Sequence, residues 1–277
     1  MRTPKRLPPR QKRPEPATDQ HDALRKIGAV LANVTVITGL LVAFGWKRSA
    51  TQATALGIES NILGMSNADY LLRSIAPVFT LLAVVVVAGL AWLWLEPRLR
   101  PVVVGRRLAT GWLAWSWLIL PLLVVGFGYV WPVASFYAFP LSVGGGILLS
   151  CYVIESTGRR GWDWPKVRLF AVAAGVLTLF WAALNYAHVD GQRLADEFEP
   201  ALAPAVTVFS QERMHITGVR EEPLDGDKSR YRYRYSGLRL LENTGGKYFL
   251  VTDAWTRSDG VVVVLRDDAT TRLEFSR

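Results

Sequence analysis

Ile75–Leu95, IAPVFTLLAVVVVAGLAWLWL, holds twenty-one residues without an Asp, Glu, Lys, Arg or His. A bilayer's hydrocarbon layer is about 30 Å thick and takes about 20 helical residues to cross. Hydrocarbon offers no partner to a backbone N–H or C=O, so such a stretch must close its own hydrogen bonds and be helical. Four more stretches share this character: Ile27–Trp46, Gly111–Trp131, Phe136–Ile154 and Leu169–Tyr186. The expected fold class is an α-helical membrane protein with five transmembrane helices, followed by a small all-β domain.

Composition agrees with that class. The chain is 51% apolar with a mean hydropathy of +0.20, which fits poorly with one soluble domain of 277 residues. Its net charge of +9 is unevenly placed. Residues 1–186 carry nineteen Lys and Arg against eight Asp and Glu, whereas 187–277 carry thirteen against fifteen. The basicity belongs to the membrane half. No aromatic-interleaved basic groove or nucleic-acid motif marks the rest, so no nucleic-acid partner is expected. Cys151 is the single cysteine, which excludes an intramolecular disulfide.

Charge also predicts orientation. The tail before the first span carries Arg2, Lys5, Arg6, Arg10, Lys12, Arg13, Arg25 and Lys26. Arg98, Arg100, Arg106 and Arg107 follow the second span, and Arg159, Arg160, Lys166 and Arg168 follow the fourth. Only Lys47, Arg48 and Arg73 lie in the loops on the other side. Positive charge stays cytoplasmic. The N-terminus is therefore expected inside, the C-terminal domain outside, and the localisation is a plasma membrane. Trp46, Trp92, Trp94, Trp112, Trp131, Trp162 and Trp164 sit near span ends, where their rings prefer the headgroup layer. The first span reads as an uncleaved anchor, because its run is long and no small-x-small site follows.

The expected organisation is a disordered basic tail over 1–26, a five-helix domain over 27–186, a stalk over 187–203 and an outer β domain over 204–277. The tail is proline-rich as well as basic, which suits either a topogenic signal or a segment held to anionic headgroups. The loop Lys47–Ser74 shows capping-box spacing in Ser66-Asn67-Ala68-Asp69. Ala53, Leu56, Ile58, Ile62 and Leu63 could line one side of a short helix there, as a lid, a docking platform or a plain connection.

Past Pro204 the period becomes two. Ser229-Arg230-Tyr231-Arg232-Tyr233-Arg234-Tyr235-Ser236 places three tyrosines on one face and three arginines on the other. Strands are expected at Ala205–Ser210, Met214–Val219, Leu238–Glu242, Lys247–Thr252, Val261–Leu265 and Thr271–Phe275, in an antiparallel sandwich or open barrel. A domain of about 75 residues without a disulfide has a thin core, so it is expected to lean on the outer loop, the membrane or a second copy. Arg230, Arg232 and Arg234 form the candidate surface for anionic lipid or wall polymer, since guanidinium forks suit such oxyanions. The competing reading is a solvated face whose arginines pair with acids such as Glu242 or Glu274.

Within the spans, Pro140 and Gly144-Gly145-Gly146 stand out in the fourth. Small residues allow helices to approach closely, and the alternative is a broken helix lining a transport site. The polar residues of the spans are Asn33, Thr35, Thr38, Thr80, Ser116, Ser142, Ser150, Cys151, Thr178 and Asn185, none ionised at neutral pH. Coupled transport and intramembrane catalysis usually need a buried ionisable group. His21, His188 and His215 lie far apart, and Asp225-Gly226-Asp227-Lys228-Ser229 fails the calcium-loop pattern after its first half. No catalytic residue, metal site or cofactor is expected.

Gly45-Trp46-x-Arg48, with Leu63-Gly64-x-Ser66-x-x-Asp69-Tyr70-Leu71-Leu72-Arg73-Ser74, resembles the first outer loop of an uncharacterised actinobacterial multi-pass membrane protein family. Tyr231-Arg232-Tyr233, Gly237-Leu238-Arg239-Leu240-Leu241 and Lys247-Tyr248-Phe249-Leu250 are similar to its C-terminal β portion. The resemblance implies the topology and no activity. The functional expectation is a non-enzymatic membrane protein that displays a β domain for envelope binding, sensing or assembly. Its expected partners are the bilayer, and a second copy or another membrane protein. The alternative is a transporter or channel subunit with a neutral-lined pore.

Overall fold

The computed structural model describes residues 18–105, 107–156, 163–224 and 230–276, with side chains from Val34 onward in the first helix. The basic tail up to Ala17, Arg106, Arg159, Arg160, Trp162 and the segment Asp225–Ser229 lie outside the described residues. Among the described residues the α-helices come first: α1 Thr18–Ala55, α2 Asn67–Gly105, α3 Arg107–Ala114, α4 Ser116–Phe127, α5 Pro132–Ser156 and α6 Trp164–Asp196. The described strands follow: β1 Ala205–Ser210, β2 Arg220–Pro223, β3 Tyr233–Thr244, β4 Lys247–Thr252, β5 Val262–Arg266 and β6 Thr271–Ser276. The chain divides into two compact units, 1–40 and 41–277, and the second holds the helix bundle and the sheet.

Among the described residues three helices, rather than the expected five, are long and apolar enough to cross a membrane. They are Asn67–Arg98, Pro132–Ser156 and Trp164–Asp196, whose most apolar windows have mean hydropathies of 2.5, 1.6 and 2.0. The stretch Gly111–Trp131 fails because the chain breaks at Trp115, which leaves α4 only 12 residues. Ile27–Trp46 lies in α1, where side chains are described only from Val34. In α2 none of the apolar window is buried, and Phe79, Leu90 and Trp94 are each more than half exposed. Its described contact with α5, the edge-on packing of Trp92 against Tyr152 at 5.4 Å, leaves most of this apolar surface open. A helix so apolar all round suits lipid or a partner.

The helices overrun their expected ends. The loop after the first helix begins at Leu56 instead of Lys47, because α1 continues through Lys47–Ala55, where three alanines, Lys47, Arg48 and Gln52 favour helix. The expected stalk is the last third of α6, which runs unbroken to Asp196. Ser66 and Asp69 close the expected capping box: each backbone N–H donates to the other's side chain, at 2.8 Å and 3.3 Å.

The bundle packs through small residues. A Cβ on Gly144 would come within 2.1 Å of Thr178 Oγ1 on α6, and one on Gly146 within 2.7 Å of the Ser116 carbonyl on α4. Nothing lies within 4 Å of a Cβ on Gly145. Gly144 and Gly146 therefore let α5 fit between α6 and α4, while Gly145 faces outward. Prolines inside helices strand the carbonyl four residues back. Pro140 strands that of Phe136, and the Asn185 amide of α6 donates to it at 2.9 Å. Pro77 strands that of Arg73, and the Arg48 guanidinium donates to it at 3.2 Å. At the α3–α4 break, Ser150 Oγ accepts the Trp117 backbone N–H at 3.2 Å and pairs with Ser116 Oγ at 2.9 Å. A side chain from another helix thus replaces a local cap.

The strands form one antiparallel sheet in the order β5-β4-β3-β1-β6, with β2 also on β3. It is not a two-sheet sandwich. It curls enough to bring Tyr248 on β4 and Phe275 on β6 to 6.1 Å between rings. Gly245 and Gly246, with φ of 58° and 68°, close the β3–β4 hairpin in the two-residue turn that matches strand twist. The expected strand at Met214–Val219 is instead an irregular cover, turned by left-handed backbone at His215 and Gly218, and β2 follows it. Met214, Ile216 and Val219 pack on the core of Val206, Val208, Tyr235, Leu238 and Leu250.

Candidate functional site

Two bulges in β3 decide where the sheet faces. Gly237, with φ of 88°, lies where Ser236 and Gly237 oppose Thr207 alone, so Tyr235 and Leu238 both reach the sheet's own core despite their odd spacing. Leu241 is the extra residue of the second bulge. It turns away from that core and joins two apolar clusters on the opposite side of the sheet. One holds Ala53, Ile58, Leu63 and Phe249, and the other Leu56, Ala195, Val251 and Trp255. Each mixes the end of α1 or α6 with β4. Consequently Phe249, Leu250 and Val251 are all fully buried, with Leu250 in the sheet's core and its neighbours against the helices.

Charges close the rim of this contact. Arg73 at the start of α2 donates from both terminal nitrogens to Glu242 of β3, at 2.6 Å and 3.2 Å. Arg48 of α1 pairs with Asp190 of α6 at 2.5 Å and donates to the Arg73 carbonyl, which makes a chain of contacts from α6 to the sheet. Arg257, after β4, donates to the Ala55 carbonyl at 2.8 Å and pairs with Asp196. That carbonyl is one of the four that a helix leaves unpaired at its C-terminus. Lys247 donates to the Ile62 carbonyl at 2.9 Å. At the hairpin tip, a Cβ on Gly245 would meet the Leu63 carbonyl at 2.5 Å. Beneath Leu241 and Glu242, a cavity of about 20 Å³ lined partly by Ser49, Gln52 and Arg73 has room for one water.

The arginine surface lies elsewhere on the sheet. Arg230, Arg232 and Arg234 are exposed, but only Arg234 is within β3. Arg234 stands 3.6 Å from Glu222 of β2, and Arg230 donates to the Ala269 carbonyl at 2.9 Å. Tyr231, ahead of the strand, lies 6.4 Å from Phe209, so the tyrosine alternation ends at Tyr233. Phe209 also faces Arg272, whose guanidinium is 6.0 Å from its ring centre. The structure brings Arg230, Arg234 and Arg272 around an aromatic pair. Glu242 and Glu274, proposed partners of the arginines, pair instead with Arg73 and Arg272.

Pro140, Gly144, Gly145 and Gly146 are in α5, with Pro140, Gly144 and Gly146 buried. His188 shares a 3.1 Å hydrogen bond with Thr51 and lies 6.3 Å from the Phe136 ring. Among the described residues no three His, Cys, Asp or Glu side chains come together as metal ligands. The Arg48, Arg73, Asp190 and Glu242 chain escaped the sequence reading as a site, although the first two are among the few positive charges between the first two apolar stretches. Comparison with protein-family models, with curated proteins and with solved structures returns no match.

Proposed function

We propose that this chain is a non-enzymatic integral plasma-membrane protein whose C-terminal β domain is fastened to the outer ends of its helices, as a sensing or assembly module. In this reading the chain crosses the bilayer five times, with α1 as the first crossing and α3 and α4 together as a broken third. The N-terminus is cytoplasmic by the distribution of Lys and Arg. The observation that carries the reading is β4, buried on both faces between the sheet's core and the helix ends. A domain meant only for display needs a tether, whereas this one shares a core with α1 and α6. Whatever binds the sheet then pulls on the helices. The exposed Arg230, Arg232 and Arg234, beside Phe209 and Tyr231, are the proposed contact for an anionic lipid or wall polymer.

Two measurements test this. A reporter enzyme fused after Arg277 should work only outside the cell. Replacing Arg230, Arg232 and Arg234 together by Ser should lower binding of the full chain to isolated envelope fractions. Unchanged binding removes the arginine surface from the proposal.

A second reading, a transporter or channel subunit with a neutral-lined pore, draws on the α3–α4 break, where Ser116, Ser150 and the Gly146 carbonyl meet inside the bundle. Broken helices recur at transport sites. Solute flux through proteoliposomes, abolished by Ser116→Val, would favour this reading over the first.

A further inference from the structure

A groove of about 320 Å³ runs between α1 and α6 at their outer ends. Trp46, Lys47, Thr51, Thr54, His188 and Gln192 line it together with two alanines, and no Asp or Glu is among these lining residues. Lys47, Thr51 and Thr54 recur at helical spacing along one face of α1, and His188 and Gln192 are one turn apart on α6. The hydroxyl of Thr54 is spent on the Ala50 carbonyl, and that of Thr51 is shared with His188 Nδ1. The latter bond leaves the Nε2 side of the ring for an occupant. With the Thr51 hydroxyl donating to Nδ1, Nε2–H is left to donate, and the lining then offers an ammonium, a carboxamide and an imidazole with no Asp or Glu among its residues. Trp46, 51% exposed, ends the apolar stretch of α1 and marks the headgroup level.

We infer that this groove binds the phosphate of an anionic phospholipid headgroup, with Lys47, Gln192 and His188 on the phosphate and Trp46 against the glycerol. Cationic lining selects the anionic class, and the place of Trp46 selects a lipid over a solute. The inference rests on the membrane reading above and adds a ligand to it. Bound there, a lipid would bridge α1 and α6 at the level of the Arg48–Asp190 pair that leads to the sheet.

The test uses the full chain in vesicles of phosphatidylcholine with and without phosphatidylglycerol, followed by native mass spectrometry of the lipids retained after mild detergent extraction. Phosphatidylglycerol should be retained in preference to phosphatidylcholine. Lys47→Ala should lower that retention about fivefold, the weight of one cation at a headgroup surface. Lys47→Arg should preserve it, as should Lys166→Ala at the exposed pair with Asp163. Equal retention of the two lipids, or full retention by Lys47→Ala, overturns the inference while leaving the membrane reading intact. Displacement of the retained lipid by millimolar inorganic phosphate would assign the groove to a free anion and overturn it as well. A chain that fails to enter the vesicles at all defeats the membrane reading, and the inference with it.

Discussion

The Arg73–Glu242 pair offers the sharpest quantitative test of fastening. Its two hydrogen bonds are 2.6 Å and 3.2 Å long, and its side chains are 27% and 24% exposed. Unit charges about 4 Å apart attract by about 4 kcal/mol at an effective dielectric of about 20. Desolvation takes back a large share of that. Fully exposed pairs net at most about 1 kcal/mol, and breaking a fully buried one costs about 3–5 kcal/mol. A pair one-quarter exposed falls between, so a coupling of about 2 kcal/mol is expected. The assay is a double-mutant cycle of Arg73→Ala, Glu242→Ala and the double variant, with unfolding free energy measured by denaturant titration in mild detergent. The double variant should be little worse than either single one. Additive losses, with a coupling below about 0.5 kcal/mol, would refute the reasoning that this ion pair joins sheet and helices.

Other outcomes follow from packing. Phe249→Ala removes a fully buried ring from the sheet–helix cluster and should cost about 3–5 kcal/mol, read by thermal melting of the full chain. Gly145→Ala should be neutral or slightly stabilising, whereas Gly146→Ala presses a methyl against the α4 backbone and should lower the melting temperature by several degrees. Asn185→Ala should cost about 1 kcal/mol by stranding the Phe136 carbonyl, and combining it with Pro140→Ala should recover part of that loss by restoring a backbone donor. Gly245→Ala, placed at a φ of 58° against the Leu63 carbonyl, should loosen the hairpin tip and speed proteolysis between Leu56 and Met65.

What could be read from the chain alone was whatever has a local period. The apolar runs of α2, α5 and α6 fall close to the about 20 residues that cross hydrocarbon, and each lies in a long helix. The strand boundaries of β1, β4 and β6 were legible because turn residues flank them, and Ser66 with Asp69 announced the start of α2. The break at Trp115 had no local signal, because the group that satisfies it, Ser150, comes from another helix. Arg48 and Asp190 are 142 residues apart, and Arg73 and Glu242 are 169 apart. No spacing rule reaches that far. One signal was present and unread: Tyr248-Phe249-Leu250-Val251 is a continuous apolar run rather than an alternation, which marks a strand buried on both faces. It pointed to a second surface over β4. The tyrosine–arginine alternation, by contrast, promised a longer strand than the chain makes, since β3 begins only at Tyr233.

The union of sheet and helix ends is tested most directly by native-state hydrogen exchange on the full chain in nanodiscs, following 53–65 and 247–252 together. Segments that share a core should open as one unit. Equal protection of both segments, lost in both when Glu242 is replaced by Ala, is the predicted result. A well-protected β4 above a rapidly exchanging 53–65, with neither responding to that substitution, would contradict the account.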